Sequence, residues 1–142
     1  MTVFELEVPL PPYALSPNHS VGSLGARMAK SVRYRAYLDL VRIEAINRAQ
    51  CLGWAAPERA RINLHFGVKT VPKETRMYPH KLDRPYRPHD WDNAVSAFKA
   101  GQDGLVQAKV LAGDDRNHLE GGSVTFDPAS GPWVRVTVEA LV

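Results

Sequence analysis

The sequence predicts an α+β fold: a mixed sheet of about four strands with two main helices packed on one face. Three observations carry this. The apolar pattern changes period along the chain in the order β-α-β-α-β-β. Between Ser31 and Leu52 apolar residues recur at three- and four-residue steps, and near the end Val134, Val136 and Val138 alternate with Arg135, Thr137 and Glu139. The 142 residues carry no repeat, low-complexity tract or linker, so residues 1–142 are expected to form one domain.

Taken in order, Val3, Phe4, Leu6 and Val8 around Glu5 and Glu7 read as a first strand, stopped by Pro11 and Pro12, which cannot donate to a ladder. Residues 13–30 contain Pro17, Asn18, Gly22 and Gly25 and are expected to be an irregular loop. Tyr34, Tyr37, Leu38, Val41, Ala45, Ala49 and Leu52 define an amphipathic helix that Ser31 would cap and Gly53 would end. Ile62, Leu64, Phe66 and Val68 alternate with Asn63, His65 and Gly67, a half-buried strand on whose polar face His65 is a surface or hydrogen-bonded histidine rather than a ligand. Lys69 to His89, with Pro72, Pro79, Pro85 and Pro88, shows neither period and reads as a long basic loop of the kind that is usually functional. A second helix is expected from Asp92 to about Lys109 on the face Ala94, Ala97, Phe98, Leu105 and Ala108, weakened by Gly101 and Gly104. Each glycine costs about 1 kcal/mol in a helix. Gly122–Phe126 and Trp133–Leu141 complete the sheet.

Composition narrows the function classes. The single cysteine, Cys51, rules out an internal disulfide scaffold, and no His/Cys spacing matches a zinc ribbon, which fits a reducing, cytoplasmic compartment. The longest uncharged stretch, Val8–Ala26, is broken by four prolines and cannot be a membrane helix, so no membrane partner is expected. The net charge of +3 is unevenly spread. Arg27, Lys30, Arg33, Arg35, Arg42 and Arg48 crowd the stretch from Arg27 to Arg48, and Lys69, Lys73, Arg76, Lys81, Arg84 and Arg87 the Pro-rich loop. Asp103, Asp114, Asp115, Glu120 and Asp127 follow. A basic approach surface beside an acidic centre suits a metal-dependent enzyme acting on a polyanion; solvated helix and loop faces would give the same tally.

The chemistry concentrates at His89-Asp90-Trp91-Asp92-Asn93. In extended backbone, side chains two apart point the same way, so Asp90 and Asp92 aim together and Trp91 away. Paired carboxylates tolerate joint ionisation when a cation lies between them, and such oxygen donors suit Mg²⁺ or Mn²⁺. The alternative is that Asp92 caps the helix and Asp90 is a solvated loop acid. Asp92, Ser96, Lys99 and Asp103 step along one helix face, with Lys99 about 10 Å beyond Asp92 but leaning back towards the helix start. There it can neutralise charge on a phosphate, or simply pair with Asp103. Asp114-Asp115 offers a third carboxylate or a solvated turn. Tyr78, Tyr86 and Trp91 can stack on bases or anchor the loop.

The order Asp90-x-Asp92-Asn93, Lys99-x3-Asp103-Gly104-Leu105, Val110-x3-Asp114-Asp115 resembles the RusA family of Holliday-junction resolvases from bacteria and phages. Upstream, Pro11-Pro12 after an opening strand, Asn18, the basic helix with Tyr34-Arg35 and the strand Arg61–Val68 extend the likeness over nearly the whole chain. The resemblance implies a RusA-like fold, a homodimer, and Mg²⁺ bound by Asp90, Asp92 and Asp115, with Lys99 as the catalytic lysine. In some members that lysine follows the second DxD aspartate by four residues, where this chain has Ser96; Lys99 matches the longer spacing of phage-type members. Lys109 stands where related sequences often have glycine before the double aspartate. The expected function is paired symmetric nicking of four-way junction DNA with 5′-phosphate products, in recombination and repair. Lys30, Arg33, Arg35, Lys73, Arg76, Lys81, Arg84 and Arg87 would contact phosphates. The rivals are a non-cleaving junction- or duplex-binding protein of phage origin and a divalent-metal enzyme acting on nucleotides, which lacks a Gly-rich phosphate loop.

Overall fold

The computed structural model describes residues 3–17 and 22–142; Asn18 lies outside them. The alternating segments form a four-stranded mixed sheet in the order β1-β4-β2-β3. The strands are β1 (Val3–Val8), β2 (Ala60–Gly67), β3 (Leu119–Asp127) and β4 (Trp133–Ala140). β4 runs antiparallel to β1 and β2, and β3 runs parallel to β2. The register builds apolar rows across the sheet: Leu6 faces Val136, which faces Leu64, which faces Val124. Period-two patterning thus gathers most of the strands' apolar side chains on one face. The opposite face is polar, with Arg135 on Glu7 at 3.0 Å and His65 hydrogen-bonded to Thr125 at 2.5 Å. His65 is therefore the hydrogen-bonded residue its place in the alternation predicts.

Helix α1 (Leu24–Leu52) covers the apolar face through Tyr37, Leu38, Val41 and Ala45, which lie in one core with the strands. It begins a full two turns before the expected start. Ser23, not Ser31, accepts the Ala26 N–H at 3.1 Å, and Gly25 falls in the first turn. Gly53 ends the helix in the left-handed region at φ 64°, its N–H reaching back to Ala49 and Gln50, as its position predicts.

The expected second helix is two. α3 (Trp91–Ala97) and α4 (Lys99–Gln107) meet at Phe98, whose φ −85° and ψ 2° leave helical geometry. Phe98 is buried, its ring edge-on to Tyr37 with centroids 6.3 Å apart, and Gly101 leaves room for that ring. Gly104 faces α1: a methyl group there would come within 2.7 Å of the Leu38 carbonyl oxygen. The two glycines that weaken the helix pattern are where α4 approaches other groups most closely.

The basic stretch is more ordered than its composition suggests, containing α2 (Glu74–Met77) and a 3-10 turn at Lys81–Asp83. It is tied down at several points: Tyr13 N–H to the Arg84 carbonyl at 2.7 Å, Tyr86 N–H to Pro11 at 2.8 Å and Arg33 on Asp83 at 2.8 Å. β3 starts at Leu119, three residues before the expected Gly122, because its first residues pair with β2 ahead of a register shift between Ile62 and Leu64. No helix among the described residues is long and apolar enough to cross a membrane.

Candidate active site

Three acidic positions lie along α3, α4 and the turn that follows α4. At the first, Asp90 is the α3 N-cap: one carboxylate oxygen accepts the Asn93 backbone N–H at 3.1 Å and the other the Asn93 side-chain amide at 3.2 Å. Asp92 sits in the first turn, exposed. The cap is thus Asp90, reversing the roles of the alternative read from sequence. Burial chiefly raises the Tyr86 pKa, a Ser16 hydrogen bond opposes this, and the charges of Asp90 and Asp92 push it further up.

The second is a chain of polar contacts. Lys99 Nζ donates to Asp114 at 2.6 Å and lies 3.3 Å from Asp103. Asp103 in turn accepts a short hydrogen bond from the Tyr34 hydroxyl on α1. The Asp114 hydrogen bond holds the Lys99 pKa above its ordinary value, and Lys99 draws the Asp114 carboxyl below its own. Tyr34 is raised strongly, by burial and then by Asp103. Lys99 therefore stays a cation between two carboxylates across the neutral range. With the helix broken at Phe98, it opens α4 rather than continuing the α3 face that carries Asp92.

At the third, Asp114 and Asp115 diverge. Asp115 accepts the Asn117 N–H at 2.8 Å and meets the His118 ring nitrogen at 2.9 Å. The Asn117 contact first, then His118, lowers its pKa. Among the described residues no three His, Cys, Asp or Glu side chains form a group that could hold a metal ion. The sequence reading passed over His118; its signals were the i,i+3 spacing from Asp115 and Gly113, whose bare Cα lets the His118 ring pack 3.2 Å from where a Cβ would stand.

The basic residues divide into two sets. Arg33 is held by Asp83 and by the Ala29 carbonyl, and Arg84 donates to the Tyr78 and Pro79 carbonyls. Arg87 is saturated by Glu74 and by the Val68 and Lys69 carbonyls. Arg33 ties the basic segment to α1, Arg84 braces the segment internally, and Arg87 braces it and reaches Val68 just past the end of β2. Lys73 and Arg76 are exposed at α2, Arg35 is exposed beside Asp39, and exposed Lys81 lies 5.0 Å over the Tyr13 ring. Lys30 is half-buried on α1. Of the three aromatics, Tyr86 is buried and Tyr78 half-buried, while Trp91 is 56% exposed. No protein-family model and no curated protein matches the chain.

Proposed function

We propose that this protein is a Mg²⁺-dependent, structure-selective DNA endonuclease that resolves four-way junctions by paired nicks, acting as a homodimer in the cytoplasm during recombination or repair. The observation that supports it most is the exposed pair Asp90 and Asp92 at the exit of a basic segment that is itself anchored to the domain. The donor chemistry fits a hard cation: carboxylate oxygens only, and Asp92 takes no hydrogen bond among the described residues. Asp90 and Asp92 would hold Mg²⁺, or Mn²⁺ in its place, and Asp115 would join them by exchanging its contacts to Asn117 and His118 for the ion. A bound Mg²⁺ lowers the pKa of a coordinated water and polarises a phosphate oxygen.

Lys99 supplies charge rather than base catalysis. Two carboxylates keep it protonated, so its role is to stabilise the negative charge that builds on phosphorus. Exchange of Asp114 for a phosphate oxygen as its partner would bring that charge to the substrate. Lys30, Arg35, Lys73, Arg76 and Lys81 are the candidates for backbone contacts, giving affinity with little sequence information.

A synthetic four-way junction with Mg²⁺ tests this. Wild type should nick it symmetrically, leaving 5′-phosphates, and Asp92→Asn should bind without nicking. Equal cutting of linear duplex removes the junction selectivity, and no cutting by wild type removes the nuclease. The second reading, a non-cleaving DNA-binding protein, is favoured by Asp90 and Asp115 both being engaged in local hydrogen bonds. It predicts identical binding by wild type and Asp92→Asn and no metal-dependent nicking by either.

A further inference from the structure

We infer that the groove beside Trp91 receives one nucleobase unstacked from the DNA strand whose phosphate lies at Asp90 and Asp92, an inference that rests on the nuclease reading above. The groove, about 200 Å³, opens between α3 and the free edge of the sheet at β3. Leu64 and Val95 contribute its apolar lining, Trp91 is among its walls, and Gln102 and Asp114 add polar groups. Gly121 contributes main chain with open space where a side chain would be.

Three features select a base over other occupants. Trp91 stands between Asp90 and Asp92 in the chain, at the start of α3, so the groove it lines adjoins the backbone that carries those acids. The lining combines an aromatic face with an amide and a carboxylate, the pairing that a flat heterocycle with hydrogen-bonding edges needs. An apolar side chain from a protein partner would leave the Gln102 amide without a partner on burial, which is costly, whereas Asp114 is already held by Lys99. Finally, Trp91 keeps 56% of its surface open although the apolar lining lies beside it, so the ring is not used to close the domain's own core. Aromatic platforms of this kind bind bases without regard to sequence.

The test is binding in EDTA, which separates recognition from cutting, with wild type, Trp91→Ala and Trp91→Phe on a four-way junction and on an uninterrupted duplex. A junction carrying 2-aminopurine at the branch point reports stacking directly. Trp91→Ala should weaken junction binding by about 5- to 160-fold, the range that corresponds to removing one stacking aromatic. It should leave duplex binding within about twofold and abolish the 2-aminopurine change, and Trp91→Phe should restore most of both. Unchanged junction affinity, or an equal loss on junction and duplex, overturns the inference. So does a change in oligomeric state of Trp91→Ala by sedimentation, which would assign the groove to a second copy pairing along β3. If wild type binds and nicks the junction while Trp91→Ala behaves identically, only the base groove fails. If wild type neither binds nor nicks, the nuclease reading fails with it.

Discussion

Glu74→Gln separates a structural from a DNA-binding role for Arg87. The Arg87 guanidinium donates to both Glu74 carboxylate oxygens, one at 2.9 Å, to the Val68 carbonyl at 3.1 Å and to the Lys69 carbonyl at 3.2 Å. The side chains are only 19% and 15% exposed. Breaking a fully buried pair by removing one charge costs about 3–5 kcal/mol, and exposed pairs are worth at most about 1. For this partly exposed pair we expect a loss of about 2 kcal/mol, a fall of roughly 6–8 °C in Tm for a domain of this size. Urea titration and calorimetry at neutral pH measure it. The pH dependence has a definite sign. The Arg87 hydrogen bond holds the Glu74 carboxyl below its ordinary value. The stability is thus present above the unfolded pKa and drains away as the pH falls through the folded one. The gap between wild type and Glu74→Gln should close in acid. DNA binding supplies the independent arm. If Arg87 serves phosphate, releasing it from Glu74 tightens binding; if it clamps the basic segment to the end of β2, the variant binds more weakly. A variant as stable as wild type at neutral pH, with tighter DNA binding, refutes the clamp.

Gly104→Ala should destabilise by about 1–3 kcal/mol, since the added methyl meets the Leu38 carbonyl of α1 at 2.7 Å and the backbone must move; an unchanged denaturation midpoint would mean that α1 and α4 slide apart freely. Tyr34→Phe deletes the donor to Asp103 and should cost about 1–2 kcal/mol. Because Asp103 also flanks Lys99, it should slow nicking while leaving junction affinity intact; unaltered nicking would separate Tyr34 from the function of Lys99. If Lys30, Arg35, Lys73, Arg76 and Lys81 are the phosphate contacts, the logarithm of the binding constant should fall with that of salt concentration at a slope of roughly −4.5, about −0.9 per neutralised phosphate. A flat response, measured by anisotropy across a salt series, would remove phosphate contact as the basis of binding.

The fold was legible where period and burial coincide. One face of β1, β2 and β4 is buried, so β1 and β4 were readable residue by residue, and Gly53 marks a helix end because a left-handed residue closes it there. The misplaced boundaries share a cause. Ser23 and Ser31 are equally good caps locally, and what extends α1 is that Leu24 and Met28, although 68% and 60% exposed, continue a helix already nucleated and held by its core contacts. The break at Phe98 was invisible for the opposite reason: Ala94, Ala97, Phe98 and Leu105 fit one helical stripe and are all buried, so the pattern continues across a residue whose backbone leaves the helix.

The site was legible as a set of residues but not as a set of partners. Spacing alone brought Lys99 and Asp103 together, because i,i+4 neighbours on a helix meet whatever lies around them. Which of Asp114 and Asp115 turns towards Lys99 depends on the backbone leaving α4. Lys109 stands there at φ 60°, a left-handed step that its side chain does not advertise. That turn sends Asp114 to Lys99 and leaves Asp115 to His118. The lysine is therefore flanked by the first aspartate of the pair, while the resemblance assigns the metal to the second. These roles are compatible only if adjacent carboxylates divide the work, one holding the cation of Lys99 and the other a divalent ion. Under that division Asp114→Asn should lower nicking by loosening Lys99 without weakening Mg²⁺ dependence, whereas Asp115→Asn should raise the Mg²⁺ concentration needed for half-maximal cutting. An equal shift in Mg²⁺ requirement for both would mean that the two side chains act as one ligand set and that the divergence seen here is not retained with metal bound.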